Sequence, residues 1–260
     1  ALYSGDLAML TLLDLSAAFD SVDHATLIKR LRTSYGLSCT VIDWFASYLS
    51  DRTQCVRTAG SSSAPLPVWF GVPQGSVLGP ILFLLYTADL ISLIEHHWLT
   101  PQAFADDTQI YGSCSPSHAD ELRERTSACI DAVYSWMAAN RLQLNQAKTE
   151  VLWCTSSRRL NQIPTGPVRI GGTQVQPVST VRDLGVMLDA YLTFRTHVTS
   201  TVRACFAALR RIRSVKRSVP RSLIRSLIIT ELDYCNSVLA GTPACLQERL
   251  QSVLNSAARL

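Results

Sequence analysis

Closely spaced cysteine pairs are missing from this 260-residue sequence, although it contains eight cysteines. Structural zinc sites and disulfide-rich secreted scaffolds both depend on short, paired cysteine spacings. No C-x-x-C pair occurs among the eight, which are Cys39, Cys55, Cys114, Cys129, Cys154, Cys205, Cys235 and Cys245. We therefore expect free thiols in a reducing, intracellular compartment.

Long apolar runs are missing as well. The most apolar run, Val77–Tyr86, is short and is interrupted by Gly79 and Pro80. A membrane-spanning helix needs roughly 20 predominantly apolar residues, so we expect no membrane span. The first residues lack an initiator Met, a basic region and a cleavage site, so they do not predict a signal peptide. They indicate instead a segment from within a longer chain.

Acidic residues are missing from Arg195–Arg225, a segment with nine Lys or Arg residues. The net charge of the whole chain is +4, so the remaining residues carry a net charge of −5. A solvated helix face usually mixes both signs of charge. A concentrated basic segment of this kind is typical of proteins that bind a phosphate backbone.

The periodicity of apolar residues predicts a mixed chain: an α+β domain to about residue 190, then a helical domain. A loop is predicted at Gly60–Pro65. Strands are predicted at Met9–Leu15 (buried on both faces), Thr53–Thr58, Leu142–Leu144, Glu150–Cys154 and Val181–Leu188, with hairpins at Gln102–Gly112 and Val168–Val175. Helices are predicted at Asp23–Tyr35, Thr40–Leu49, from Val77, from a capping box at Ser117–Asp120 to about Asn140, and from Phe194 onward, with Pro220 and Pro243 in first turns.

Three carboxylates are placed where chemistry is expected. Asp14 ends an apolar strand, and Asp106 and Asp107 occupy a turn between two short strands. Carboxylates beside buried strands are costly unless they are neutralised, and a divalent cation is the usual partner. Two Mg²⁺ ions, about 3.5–4 Å apart, can activate a hydroxyl and stabilise a departing oxygen. An Asp-Asp pair taken alone is also ordinary turn chemistry.

The segment Gly71–Pro80 (GVPQGSVLGP) lies between these acidic elements. Gly71 and Gly75 permit a backbone to approach a ligand closely, and Gln74 offers an amide group. The start of the following helix can face an anion. A plain loop-to-helix connection is the alternative interpretation.

Five segments resemble, in order, the motifs of reverse transcriptases from non-LTR (LINE-type) retrotransposons. Leu13–His24 (LDLSAAFDSVDH) is similar to motif A, Gly71–Pro80 to motif B, and Phe104–Asp107 (FADD) to motif C. Leu144–Thr149 (LNQAKT) is similar to motif D, and Val181–Val186 (VRDLGV) to motif E, the primer-grip region. The match covers nearly the whole chain, and chance agreement with all five motifs is negligible.

The resemblance implies a metal site and a nucleotide site. The catalytic and metal-binding residues would be Asp14, Asp106 and Asp107, with Leu15 also assigned to metal binding and two Mg²⁺ ions, or Mn²⁺, as cofactors. The nucleotide-binding residues would be Phe19, Gln74, Gly75 and Lys148.

The resemblance also implies separate roles for these residues. Phe19 would exclude the 2′-hydroxyl of a ribonucleotide, with core packing as the alternative. Gln74 and Gly75 would line the incoming nucleotide and the template base. Lys148 would face the triphosphate and protonate the departing pyrophosphate, although an exposed, solvated lysine is the commoner case. His24 matches the motif A string and is predicted to be structural.

The fold implied by the resemblance is a polymerase palm, an antiparallel sheet backed by helices, in residues 1–190. An incomplete helical thumb would follow in residues 191–260. The fingers are expected to be largely missing because Asp14 lies close to the first residue. We therefore expect these residues alone to bind nucleic acid weakly and to polymerise poorly or not at all. The nucleic-acid-binding residues of the thumb would be Arg203, Arg210, Arg211, Arg213, Lys216 and Arg217.

The expected partners are an RNA or DNA template with its primer, and deoxynucleoside triphosphates. We expect no membrane partner, and the sequence indicates no protein partner. The expected location is the nucleus or the cytoplasm, together with the RNA of the element.

Two alternatives stay open at the level of the sequence. An RNA-dependent RNA polymerase shares the palm and its acidic motifs, although Ala105 and the bulky Phe19 favour deoxynucleotides. A truncated, inactive remnant of a mobile element would at most bind nucleic acid. The presence of all three aspartates argues against the remnant, and the missing fingers argue for it.

Overall fold

The computed structural model describes residues 5–214 and 221–259. The chain divides into two compact units, and each is described by itself. The first unit holds residues 1–151 and 162–177, and the second holds residues 152–161 and 178–260. The division of the chain into a palm at 1–190 and a thumb at 191–260 stays a prediction, since the compact units divide the chain at other positions.

The central element is a sheet of four strands in the order β10–β1–β8–β7, in which the β1–β8 and β8–β7 pairs are antiparallel. Strand β1 pairs with β8, which in turn pairs with β7. Alternate residues of β1 are fully buried and the others are half-buried, so the expectation of burial on both faces is wrong. An antiparallel sheet commonly keeps one face less covered, which accounts for the difference. The four strands are β1 (Leu7–Leu13), β7 (Thr100–Phe104), β8 (Asp107–Cys114) and β10 (Glu150–Cys154).

From residue 5 onward, where the structure describes it, the first unit contains five α-helices. The helix α1 packs against α2 and α3, and α5 packs against α4 and β8. Asp23 caps the first of these helices, because its carboxylate accepts a hydrogen bond of 2.9 Å from the backbone N–H of Thr26. The helices predicted in this part of the chain are confirmed, and the one predicted from Val77 is followed directly by a further helix. Their bounds are α1 (His24–Thr33), α2 (Cys39–Leu49), α3 (Leu78–Thr87), α4 (Asp89–His96) and α5 (Ala119–Ala139).

Short strands complete the first unit. The Gly-Gly hairpin of β11 and β12 is confirmed. The predicted loop at residues 60–65 is wrong in part, because β5 pairs with β4 in a small hairpin. The short strands are β2 (Leu15–Ser16), β3 (Thr53–Gln54), β4 (Arg57–Thr58), β5 (Ser61–Ser62), β6 (Leu66–Pro67), β9 (Gln143–Leu144), β11 (Val168–Ile170) and β12 (Thr173–Val175).

The predicted capping box at residues 117–120 is wrong. A 3₁₀ turn at Pro116–His118 precedes α5, whose N-cap residue is His118, with no side-chain cap. The hydroxyl of Ser117 lies 3.1 Å from Nδ1 of His118 and is thereby engaged beside the cap. A serine hydroxyl that is engaged locally is not available to cap the helix.

The helices α3 and α4 run together over Leu78–His96, a stretch of 19 residues with a mean hydropathy of 1.6. By length and composition alone this stretch is able to cross a membrane, so the expectation that no segment reaches this length is wrong. Leu82, Phe83 and Tyr86 are nevertheless buried within the protein. A core helix of a soluble protein passes the same test, so the stretch is weak evidence for a membrane span.

The second unit is a hairpin with three helices, and α6 packs against α7, α8 and β14. A single strand was predicted at Val181–Leu188, but Leu184 and Gly185 turn the chain between two strands. Pro243 is an N-cap residue rather than a first-turn residue, and Pro220 lies outside the described residues. The elements are β13 (Thr180–Asp183), β14 (Val186–Asp189), α6 (Arg195–Ser214), α7 (Arg221–Asp233) and α8 (Ala244–Ala258).

All eight cysteines are free thiols in the structure. Burial raises the pKa of Cys129 to about 12 and the pKa of Cys154 and of Cys205 to about 11. A thiol with so high a pKa is almost entirely protonated at neutral pH and is a poor nucleophile. These three cysteines therefore contribute to packing rather than to chemistry.

Candidate active site

Strand register carries Asp14 and Asp107 to the same end of the sheet. Leu13, the last residue of β1, pairs with Thr108 on β8. Asp14 follows Leu13, and Asp107 precedes Thr108 on the antiparallel neighbour. Both carboxylates therefore lie at the same end of these two central strands, which we call this edge of the sheet. The predicted hairpin is confirmed, but its turn lies at Ala105–Asp106, and Asp107 is the first residue of β8 rather than a turn residue.

The turn that carries Asp106 is strained. Phe104 pairs with Asp107, which leaves only Ala105 and Asp106 to reverse the chain. Ala105 has a φ of 54°, a left-handed conformation that costs a residue with a Cβ about 1–3 kcal/mol. Backbone strain of this kind persists where the surrounding structure fixes the conformation, which is common at functional sites. The strained turn at Ala105 places Asp106 at the tip of the hairpin.

The carboxylates at this edge repel one another. Partial desolvation, followed by the negative charges of Asp106 and Asp14, raises the pKa of Asp107 above its ordinary value. Nζ of Lys148 lies 3.2 Å from Oδ2 of Asp14, and the Asp14 carbonyl accepts a 2.8 Å hydrogen bond from Asn145 N–H. The backbone bond brings the 3₁₀ turn Gln146–Lys148 to the carboxylates.

The donor set at this edge suits a hard divalent cation in chemistry and charge. Oδ2 of Asp14 is buried and has no hydrogen-bond partner, apart from its ionic contact with Lys148. A cation would occupy that oxygen and offset the repulsion that raises the pKa of Asp107. Within residues 5–214 and 221–259, no three His, Cys, Asp or Glu side chains are gathered closely enough to form a metal cluster. Leucine has no side-chain oxygen, so the backbone carbonyl of Leu15 is the one metal ligand that this residue offers.

A cavity of about 360 Å³ lies beside the carboxylates, lined by Phe19, Gln74, Gly75, Pro80 and Asp106. The structure thus brings together three of the residues predicted to bind a nucleotide and one predicted to be catalytic. The ring of Phe19 is half-buried, with its centroid 5.1 Å from that of Phe83. Phe19 therefore both packs against the core and forms part of the cavity wall.

Four of the basic residues predicted to bind nucleic acid lie on α6, and all four are exposed to solvent. They are Arg203, Arg210, Arg211 and Arg213. The opposite face of the helix is buried through Val202, Cys205, Leu209 and Ile212. Lys216 and Arg217 lie outside the described residues. The four arginines belong to the second unit, and the carboxylates belong to the first.

Two contributors to the site were missed at the level of the sequence. Pro80 lines the cavity, and Asn145 joins Lys148 to Asp14 through the backbone. The signal for Asn145 was its position three residues before Lys148 within the motif D string. No local signal marks Pro80 as a wall residue, because its neighbours in the cavity are remote in the sequence.

Residues 4–188 match the family model of the reverse transcriptase (RNA-dependent DNA polymerase). The chain is 32% identical over 208 residues to the probable RNA-directed DNA polymerase from transposon BS of Drosophila melanogaster, covering 77% of this chain and 22% of that protein. It is 31% identical over 196 residues to the RNA-directed DNA polymerase from mobile element jockey of Drosophila funebris, covering 72% and 20%. The chain thus spans about a fifth of the length of these relatives.

Two solved structures are also similar. An apo telomerase from Candida tropicalis, truncated from its C-terminal domain, matches with a TM-score of 0.49 and 14% identity, over 72% of this chain and 34% of that one. A telomerase from Candida albicans in complex with a fragment of telomeric RNA matches with a TM-score of 0.47 and 13% identity, over 97% and 40%.

The family match covers well over half of the chain, and its range contains all five segments that resemble motifs A to E. Reverse transcriptases generally use divalent metal ions and bind a nucleic-acid template. The predicted fold class, an α+β polymerase palm, and the predicted relation to non-LTR retrotransposons are both confirmed. The chain belongs to the reverse transcriptase (RNA-dependent DNA polymerase) family.

Proposed function

We propose that this chain carries the polymerase site of a non-LTR retrotransposon, an RNA-directed DNA polymerase that adds deoxynucleotides to a primer 3′ end. The observation that carries the proposal is the cavity of about 360 Å³ lined by Phe19, Gln74, Gly75 and Asp106. It lies at the edge of the sheet from which Asp14 and Asp107 emerge. A ligand in this cavity would have its reacting group beside carboxylates able to hold metal ions.

The carboxylates of Asp14, Asp106 and Asp107, with the carbonyl of Leu15, would hold two Mg²⁺ ions, with Mn²⁺ as the alternative. When bound, these ions would activate the primer hydroxyl and stabilise the departing pyrophosphate. The left-handed turn at Ala105 supports this role, because it fixes Asp106 at the tip of the β7–β8 hairpin, next to Asp107. The raised pKa of Asp107, caused by partial desolvation and then by the charges of Asp106 and Asp14, supports it as well.

The cavity walls would select the nucleotide. Phe19 would contact the sugar and exclude a 2′-hydroxyl, while the backbone at Gly75 and the amide of Gln74 would approach the base pair. Lys148, which is 68% exposed at its side chain, would turn from Asp14 toward the triphosphate and donate a proton to pyrophosphate. Its four-carbon stem permits this change without any movement of the backbone.

The exposed arginines of α6 would bind the phosphates of the primer–template duplex. Four of them, Arg203, Arg210, Arg211 and Arg213, are exposed along one helix whose other face is buried. The template would be RNA or DNA, and the substrates would be deoxynucleoside triphosphates. An RNA polymerase would lack a bulky gate residue, so Phe19 in the cavity wall favours DNA synthesis.

Primer extension tests the proposal. The purified chain, and a chimera in which it replaces the matching 208-residue segment of the transposon BS relative, would be given an RNA template, a DNA primer and Mg²⁺. We expect extension with deoxynucleotides, and none after Asp14→Asn. Absence of extension by both proteins, or equal use of ribonucleotides, would contradict the proposal. If the chimera binds the template but does not extend the primer, the failure lies in the chemical step rather than in folding or template binding.

A further inference from the structure

The carbonyl oxygen of Gly71 accepts two side-chain hydrogen bonds. Nε2 of His24 lies 2.8 Å from it, and Nη1 of Arg52 lies 3.1 Å from it. His24 is the last residue of motif A, Gly71 is the first residue of motif B, and Arg52 lies between the two motifs. Two donors from separate elements therefore converge on one backbone atom at the start of the segment that carries Gln74.

Backbone hydrogen bonds tie the same point to the loop of Phe19. The N–H of Gly71 donates to the carbonyl of Val22, and the N–H of Val72 donates to the carbonyl of Phe19, each at 2.8 Å. The Phe19 loop and the motif B segment are thus paired residue against residue. We call this set of contacts, made by Phe19, Val22, His24, Arg52 and Gly71–Val72, the Gly71 junction.

The Gly71 junction has no room for a side chain at its centre. A Cβ on Gly71 would lie 2.8 Å from Cα of Asp20 and 2.9 Å from the carbonyl oxygen of Phe19. Both of these are backbone atoms, so they cannot give way as the end of a flexible side chain would. Gly71 also has a φ of 86°, in the left-handed region that favours glycine. Close contact between the two segments therefore depends on this one glycine.

The Gly71 junction connects two walls of the proposed nucleotide cavity. Phe19 forms one wall, and Gln74 with Gly75 forms another. The hydrogen bonds of the junction link the segment that carries Phe19 to the segment that carries Gln74 and Gly75. A shift of the Gly71 carbonyl would change the distance between the Phe19 ring and the backbone opposite it. The width available to a sugar would change with it.

We propose that His24 and Arg52 are positioning residues that set the discrimination between deoxynucleotides and ribonucleotides through Phe19. Neither residue lines the cavity, so each acts through the Gly71 carbonyl rather than by touching the nucleotide. Both are half-buried, and each donates one of the two side-chain hydrogen bonds that hold the Gly71 carbonyl. The inference rests on the proposed polymerase activity, and it assigns a new role to His24, which the sequence alone marked as structural.

The experiment compares the efficiencies of ribo- and deoxynucleotide incorporation in whichever protein extends a primer, the chain or the chimera. The variants are His24→Ala, Arg52→Ala and the double variant, with His24→Gln and Arg52→Lys as replacements that keep a donor. We expect the ratio of ribo- to deoxynucleotide efficiency to rise roughly threefold to tenfold in the alanine variants, the scale of one lost hydrogen bond. The conservative replacements should restore at least part of the discrimination. His96→Ala and Arg57→Ala, at exposed positions, serve as matched controls.

A second measurement separates positioning from general weakening. In a Phe19→Ala background the gate is already absent, so His24→Ala should leave the ratio unchanged if it acts through Phe19. The inference is overturned if His24→Ala raises the ratio of ribo- to deoxynucleotide efficiency equally with Phe19 and with Phe19→Ala. It is also overturned if the ratio is unchanged in alanine variants whose unfolding temperature equals that of the parent. Failure of both parents to extend any primer overturns the proposed function and this inference together. Extension with an unmoved ratio overturns this inference alone.

Discussion

Nζ of Lys148 lies 3.2 Å from Oδ2 of Asp14, so one lysine supplies positive charge at the edge where three carboxylates are expected to act. The Lys148 side chain is 68% exposed and the Asp14 side chain is 34% exposed, although Oδ2 itself is buried. Solvent therefore screens the ion pair from the lysine side, and its contribution to stability is modest. Its importance lies in competition, because Lys148 and a divalent cation would use the same oxygen of Asp14.

Lys148→Gln should therefore increase the affinity for Mg²⁺. The substitution removes a competing charge that is worth no more than an exposed ion pair, so we expect the Mg²⁺ concentration at half-effect to fall roughly twofold to fivefold. The measurement is the unfolding temperature as a function of Mg²⁺ concentration, which does not depend on activity. Lys29→Gln, at an exposed position of α1, is the charge-matched control. An unchanged or weaker Mg²⁺ response would contradict the competition.

Asp14→Asn and Asp106→Asn should each abolish extension while sparing template binding. The loss should be at least about a hundredfold, because several kcal/mol of charge stabilisation disappear with the metal ions. The same variants should lose the Mg²⁺-dependent rise in unfolding temperature. Asp43→Asn, an exposed substitution on α2, should behave as the parent in both measurements. Extension near the parent rate would remove these aspartates from the catalytic site.

Phe19→Val and Phe19→Ala should raise ribonucleotide incorporation, since a shorter side chain leaves space for the 2′-hydroxyl. We expect the ratio of ribo- to deoxynucleotide efficiency to increase roughly tenfold to a hundredfold. The ring also packs against Phe83, so the variants should lose some stability. Lost stability with an unmoved ratio would identify Phe19 as a core residue only.

The strand that ends at Asp14 and the turn that carries Asp106 could be predicted because their signals are local. An apolar run ending at Asp14, and two aspartates between short strands, fix where carboxylates leave the sheet. The Gly71 junction could not be predicted in this way, because His24 and Gly71 are 47 residues apart and their contact depends on the packed fold. The reversal at Leu184–Gly185 was missed because apolar residues alternate on both sides of it, as they would along one strand.

His197 should make the protein less stable in mild acid. Burial lowers the pKa of His197 below its ordinary value of 6.5, with a smaller opposing effect from Glu231. The unfolded chain then binds more protons than the folded one as pH falls through 6.5, so the stability present above that pH is lost below it.

His197→Gln should flatten this dependence between pH 7 and pH 5, as measured by denaturant unfolding. A glutamine carbonyl is able to accept from the N–H of Met187, which lies 3.4 Å from Nδ1 of His197, and it does not titrate. The matched control is His96→Gln, at an exposed position. An unchanged pH dependence in His197→Gln would assign the acid sensitivity to other groups.

Replacing Arg210, Arg211 and Arg213 with Gln should weaken primer–template binding to a similar extent for every sequence and flatten its salt dependence. Each phosphate contact contributes a slope of about −0.9 to a plot of log K against log salt for a B-form duplex, so three lost contacts would reduce the slope by up to about 2.7. Lys29, Arg32 and Arg57, all exposed on the first unit, provide a triple Gln control with the same loss of charge. Because net charge falls equally in both proteins, a difference between their slopes reports contact with the duplex rather than long-range attraction. Equal slopes would mean that the α6 arginines face away from the nucleic acid.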